Sequence, residues 1–265
     1  MKKRERMTRN RSVTEDLLAD ARSKLRDLWD FADEHFGRHR IRQDDHFEFF
    51  ALSFLAKQRT HVDSLIALDR SQDCALIARS MLEGLCLLLW VAQDKRRAGR
   101  WRHFAFVHDW RLLRARVQSE IPVEERDRES VLRGIVEHGA QFLKPNTRIE
   151  DALALTSDPF KKKWHDEQIS QIFEAVSADD IYRAQYSSFS DWHHWGVATM
   201  AARIHSSKNA LTFSPASLQT AFLSTLTAFH ALHDTLAVLI GEFETADSAR
   251  LAELHDSFLE SMQSK

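Results

Sequence analysis

Apolar residues recur at helical spacing along nearly the whole chain. Leu17, Leu18, Leu25, Leu28 and Trp29 share one side of a segment that predicts a first helix ending near Phe36. Ser12-Val-Thr-Glu15 reads as its capping box and Gly37 as its stop. A second helix is predicted from about Asp44 to Arg70, carrying Phe47, Phe50, Leu55, Val62 and Leu65. A third runs from about Ser71 to Asp94 and is apolar nearly all round, the mark of a helix covered on several sides. A fourth, from about Arg96 to Ser119, is rich in Arg, Trp and His. Pro122 with Glu124 and Glu125 opens a fifth, since proline fits the first turn and acids suit the positive end of the helix dipole.

The stretch from Lys144 to Pro159 reads as the long connection. Asp158-Pro159 is expected to restart a helix through Trp164, Ile169, Ile172 and Val176. Ser177-Ala-Asp-Asp180 should cap another reaching about His205, Ser214-Pro215 an eighth to about Gly241, and a polar ninth closes the pattern. The expectation is all-α: an irregular bundle of about eight to nine helices in one domain over residues 12–265, without strands, behind a flexible basic arm at residues 1–11.

Composition supports this. Seven glycines and four prolines in 265 residues leave few turns for a β architecture. Six of the 37 basic residues fall within the first twelve positions, against one of the 39 acidic residues, so the net charge of −2 covers a basic arm and a mildly acidic body. Such an arm suits solvation first and contact with nucleic acid second. No apolar stretch succeeds it as a secretory signal would require. The apolar run Met81–Ala92 is short for a bilayer, and His230, His233 and Asp234 interrupt the segment Phe213–Phe243. Cys74 and Cys86 lie twelve residues apart on one predicted helix, about 18 Å along its axis, so they are expected as free thiols in a cytoplasmic protein that does not enter the membrane.

Two constellations could carry chemistry. Arg79 and Glu83 sit four apart on the most apolar helix, and each needs a partner if buried. They are either an internal ion pair fixing helix register or the polar floor of a site. Tyr186, Ser190 and His194, spaced i, i+4, i+8, put a phenol, a hydroxyl and an imidazole in one stripe beside Phe189, Trp192 and Trp195. Metal ligands at helical spacing exist in Asp191-x-x-His194 and His230-x-x-His233, but the Glu-x-x-His signature of di-iron bundles is absent, so no metal and no cofactor is expected. Arg97/His103 and Arg102/His108 match the Arg-to-His spacing of HEPN ribonucleases. With 26 arginines and 14 histidines, about four such pairs arise by chance.

The run Ala78-Arg-Ser-Met-Leu-Glu83, then Trp164, then Tyr182-x3-Tyr186-x3-Ser190-x3-His194 resembles the bacterial helical family known as domain of unknown function 5677, over roughly residues 45–210. The resemblance implies an all-α fold and the same polar positions, and it implies no reaction. Trp195 and Gly196 depart from the small residues expected after the histidine, leaving His193 and His194 as alternatives, with the i+8 spacing favouring His194. Three functions remain: a helical binding or interaction protein with an internal Arg/Glu/Tyr/Ser/His cluster, a HEPN-like metal-independent ribonuclease of antiviral defence acting as a homodimer, and a metal-dependent enzyme.

Overall fold

The computed structural model describes residues 13–193, 204–207, 210–213, 217–244 and 248–263. The helices are α1 (Glu15–Phe36), α2 (His46–Ala67), α3 (Cys74–Gln93), α4 (Arg96–Gln118), α5 (Glu125–His138), α6 (Ile149–Leu153) and α7 (Ile169–Ala175). Next come α8 (Asp179–Ile181), a π turn (Tyr182–Tyr186) and α9 (Ser187–His193), which run on as one rod. The long α10 (Leu218–Phe243) and α11 (Ser248–Gln263) complete the set. The fold is all-α, with one addition. Ile204–Ser207 (β1) and Ala210–Phe213 (β2) pair antiparallel, Ile204 opposite Phe213 and Ser207 opposite Ala210. The sequence predicts a helix to about His205 and no strands; two four-residue strands stand where that helix would end.

Contacts sort the chain into two compact units. The first comprises residues 1–40, 52–89 and 173–265. Its core forms where α1 packs on α10 and α11. Leu18, Leu25 and Leu28 of α1, Leu232, Leu236 and Leu239 of α10, and Leu251 and Phe258 of α11 are buried. Phe229 and Phe258 stack at 3.7 Å. Helix α10 buries Thr225, Thr227 and Thr235, and each hydroxyl donates to the carbonyl four residues earlier at 2.7–2.9 Å. A threonine satisfied on its own helix enters a core without needing a partner elsewhere.

The second unit comprises residues 41–51 and 90–172. Here α4 and α5 form a hairpin over Phe104, Val107, Trp110, Ile135, Phe142 and Phe160, and the Trp110 indole donates to the Ala152 carbonyl at 2.9 Å. Several arginines of α4 lie over aromatic rings, among them Arg97 over Trp90 at 3.9 Å, Arg102 over Phe49 at 4.5 Å and Arg111 over Phe104 at 5.7 Å.

Several predicted helix starts move. Thr14, not Ser12, caps α1, its hydroxyl accepting from the Leu17 amide at 3.2 Å; Ser12 lies outside the described residues. No helix begins at Asp158-Pro159. Leu143 and Phe160 form a β-bridge instead, with Lys144 N–H on the Pro159 carbonyl and Lys161 N–H on the Phe142 carbonyl, both at 2.8 Å. Asp158 caps the Phe160 amide and is held by Arg111, so the backbone there is committed to a bridge and the helix starts only at Ile169. Ser177 does not cap α8; it ends α7. At φ 58° it is the left-handed residue of a Schellman stop, with Ala178 N–H on the Phe173 carbonyl and Ser177 N–H on that of Glu174. For α10 the cap is Ser217, which accepts from the Thr220 amide at 3.1 Å; Ser214 and Pro215 lie outside the described residues.

Among the described residues two helices, α3 and α10, are long and apolar enough to cross a membrane by length and composition, and more than half of the apolar window of each lies buried inside the protein. The run Met81–Ala92 underestimates α3 because Arg79 and Glu83 are the only charges in its twenty residues.

Candidate functional site

The first unit holds the candidate site. Helix α3 buries Ala75, Ala78, Leu82, Leu85 and Cys86, and Arg79 and Glu83 fall on a half-buried stripe between them. The turn Tyr182–Tyr186 is a π turn, in which the Ser187 amide reaches back five residues to the Tyr182 carbonyl. Such a turn inserts one residue into a helix and re-aims the side chains around it. Tyr182 and Tyr186 stack at 5.2 Å, and Phe173 packs on both. The Gln185 side-chain amide lies 3.2 Å from the Thr227 hydroxyl, which places the turn against α10.

Tyr186, only 4% exposed, brings the charges together. Arg79 donates from Nη2 to the Tyr186 hydroxyl oxygen at 3.0 Å, and that hydroxyl donates to Glu83 Oε2 at 3.2 Å. The guanidinium also lies over the Tyr186 ring at 5.0 Å, a cation–π contact. The sequence suggests Arg79 and Glu83 as direct partners. Among the described residues no ion pair joins them, and the phenol stands between the two charges. Burial raises the Tyr186 pKa above the ordinary phenol value, and the nearby Glu83 carboxylate adds to this against the opposing pull of Arg79. The phenol therefore keeps its proton and can donate to Glu83 while accepting from Arg79. Arg79 Nε is buried and has no hydrogen-bond partner among the described residues.

Ser190 lies one turn beyond Tyr186 on α9, half-buried, and no hydrogen bond joins it to Arg79, Glu83 or Tyr186. His194 lies outside the described residues. His193 closes α9. Trp164 belongs to the second unit, where it packs against Trp90 at 5.7 Å and His165 at 4.8 Å.

Neighbouring groups carry no signal that the spacing of residues reveals in advance. On α3, Ser80 bonds His61 of α2 at 3.0 Å, and buried Gln58 donates to the Met81 carbonyl at 3.2 Å. A Cβ at Gly84 would sit 3.4 Å from Gln58 Nε2, so α2 and α3 approach closely there. Cys86, beside the cluster, has its thiol pushed up to about 12, first by burial and then by the Glu83 charge. Cys74 and Cys86 are both free and buried.

The other sequence candidates separate. Arg97 and Arg102 are held by aromatic rings and backbone carbonyls, Arg97 on the Trp90 carbonyl and Arg102 on that of Gln43, while His103 stacks on His138 at 4.1 Å. His108 lies edge-on to Phe104 at 5.0 Å. His230 and His233 gather near His255, with rings 5.8 and 4.6 Å from it. Asp191 is exposed on α9. Among the described residues no three His, Cys, Asp or Glu side chains converge as metal ligands.

Fold and site together define an all-helical protein with an Arg–Tyr–Glu polar cluster on an aromatic floor. The chain belongs to a family of unknown function (DUF5677), whose model matches residues 48–210 and so includes all three cluster residues. No curated protein and no solved structure matches the chain.

Proposed function

We propose that this chain is a binding protein whose polar cluster presents Arg79 to an anionic group. The observation that carries this is the Arg79–Tyr186–Glu83 relay. A guanidinium has five N–H donors and no acceptor. Among the described residues Tyr186 takes one, no carboxylate takes the others, and Nε is buried without a partner. An Arg with unspent donors, held against a tyrosine ring, is pre-arranged to receive a carboxylate or phosphate in bidentate fashion. Glu83 balances the charge only through the phenol, which leaves Arg79 able to pair with an anion. Tyr186 positions Arg79; Ser190, one turn further on α9, and His194, by its sequence spacing, are the residues that would extend the site.

Thermal-shift and calorimetric titrations with inorganic phosphate, citrate and a nucleoside monophosphate test this. A probe present at 100 times its Kd stabilises by about 2.7 kcal/mol, well within measurement. Arg79→Lys should weaken binding by losing the fork while keeping charge, and Arg79→Ala should abolish it. Equal binding by Arg79→Ala and wild type, or silence from all three probes, overturns the reading.

A further inference from the structure

Between α4 and α5 runs a surface groove of about 260 Å³. Its floor is apolar, built from buried Leu113 and half-buried Val131. Leu112 stands on the lip at 66% exposure, the most exposed large hydrophobic side chain among the described residues. Scattered exposed leucines are ordinary, but here the leucine adjoins an apolar hollow. An apolar cavity of about 150 Å³ admits a benzene ring, so this hollow is large enough for an aliphatic side chain. Around the rim Asp109, Arg116 and Asp127 are exposed, and none forms an ion pair among the described residues. The hairpin thus carries a knob, a hole and both signs of unpaired charge.

The spacing of those charges selects the occupant. Asp109 and Arg116 are equidistant from the midpoint between Leu112 and Leu113. A two-fold axis through that midpoint, with the two α4 helices antiparallel, brings Asp109 opposite the partner subunit's Arg116 and Arg116 opposite the partner subunit's Asp109. An isologous interface requires such self-complementarity, since the same patch serves both copies. Nucleic acid would meet two carboxylates on this rim. We infer that the α4–α5 hairpin is the interface between two copies of this chain, Leu112 of each seated in the other's groove and Asp109 paired with the partner subunit's Arg116. Asp127, on the facing helix, gives that arginine a second carboxylate.

Sedimentation velocity of the full chain over a concentration series reads the outcome. Wild type should dimerise. Leu112→Asp and Arg116→Glu should each weaken the dimer by about tenfold or more, because like charges opposed across an interface are strongly disfavoured. The deciding arm is a mixture: Arg116→Glu chains and Asp109→Lys/Asp127→Lys chains, each weakened alone, should recover dimerisation when combined. All four positions are exposed, so circular dichroism and melting should match wild type; if Leu112→Asp does unfold, the charge-swap mixture decides alone. A wild type monomeric at every concentration, dimers indifferent to both Leu112→Asp and Arg116→Glu, or a mixture that stays monomeric would overturn the inference.

Discussion

Among single residues, the molecule turns on one phenol. Tyr186 is the group through which two charges on an apolar helix are accommodated, so its hydroxyl should contribute to stability in addition to its buried ring. Tyr186→Phe removes both hydrogen bonds and leaves Arg79 and Glu83 facing a bare ring edge. Hydrogen bonds to charged groups are worth roughly 1.5–3 kcal/mol, and because Arg79 and Glu83 are half-buried, solvent recovers part of the loss. Urea melts should show Tyr186→Phe and Glu83→Ala each costing about 1–2 kcal/mol, with Glu83→Gln costing less because it keeps an acceptor. A fully sealed ion pair would cost about 3–5 kcal/mol. Wild-type stability in all three variants would remove the cluster from any structural role. The thiols give an independent check on single side chains. With Cys86 held at about 12 and both cysteines buried, a thiol reagent at neutral pH should leave the native chain unmodified and label both once urea unfolds it.

Among the helices, caps and close approaches decide where each begins and how near it packs. Ser217 caps the longest helix, and Ser217→Ala should lower stability by about 1 kcal/mol, read from the shift in urea midpoint. Its hydroxyl also accepts from the Thr220 hydroxyl at 2.9 Å, so Ser217→Asp should retain most of the capping. The α4–α5 hairpin closes at Gly134, where an added Cβ would run into Phe106 Cδ1 and sit 2.7 Å from its Cε1. Gly134 keeps helical φ, so backbone strain is not the issue; space is. Gly134→Ala should therefore destabilise by about 1–3 kcal/mol through overpacking, despite the better helix propensity of alanine. A neutral or stabilising result would mean that Phe106 swings aside freely. The π turn belongs to the same level: its extra residue sets how Tyr186 is aimed at Arg79 and Glu83 of α3.

For the molecule as a whole, proton binding gives stability a shape in pH. His61, His103 and His165 all have pKa values below the ordinary imidazole value, first because burial penalises the imidazolium; nearby positive charge adds to it, from Lys57 at His61, His138 at His103 and Lys163 at His165. His230 shifts the same way. Its ring is desolvated against Phe229 and Phe258 although the residue keeps an exposed edge, and His255 adds like charge. The unfolded chain takes up these protons near pH 6.5, before the folded one does. Their contribution is complete above about pH 6.5 and is lost as the pH falls through the lowered folded values. Tyr186 acts at the other end. Its raised pKa means that the unfolded phenol ionises first, so its contribution is complete below about pH 10 and is lost as the pH rises through the folded value. Urea midpoints between about pH 5 and 11 should fall at both extremes, and Tyr186→Phe should flatten only the alkaline fall. A His61→Asn variant should blunt the acid fall; an unchanged acid limb in that variant would assign it elsewhere.

The order of amino acids alone dictates the helical character and the polar inventory. Apolar residues at intervals of three and four can bury only as helices, and seven glycines and four prolines leave little else to build. The same periodicity places Arg79 and Glu83 on one stripe of α3, and Tyr186 and Ser190 one turn apart, because these relations are local. How those stripes meet is settled by tertiary packing. That Tyr186 stands between Arg79 and Glu83 depends on a π turn, which leaves no mark in residue spacing, and on packing between segments about a hundred positions apart in the chain. Packing also makes Asp158-Pro159 lead into a bridge with the stretch at Leu143, makes Ser177 end a helix, and pairs Ile204–Ser207 with Ala210–Phe213. In each case a local signal of turn or cap is real, and its use is set by a backbone or side-chain partner elsewhere in the fold. Local spacing cannot encode a partner, because the free energy that selects it comes from burial and hydrogen bonds made only once the chain has closed on itself.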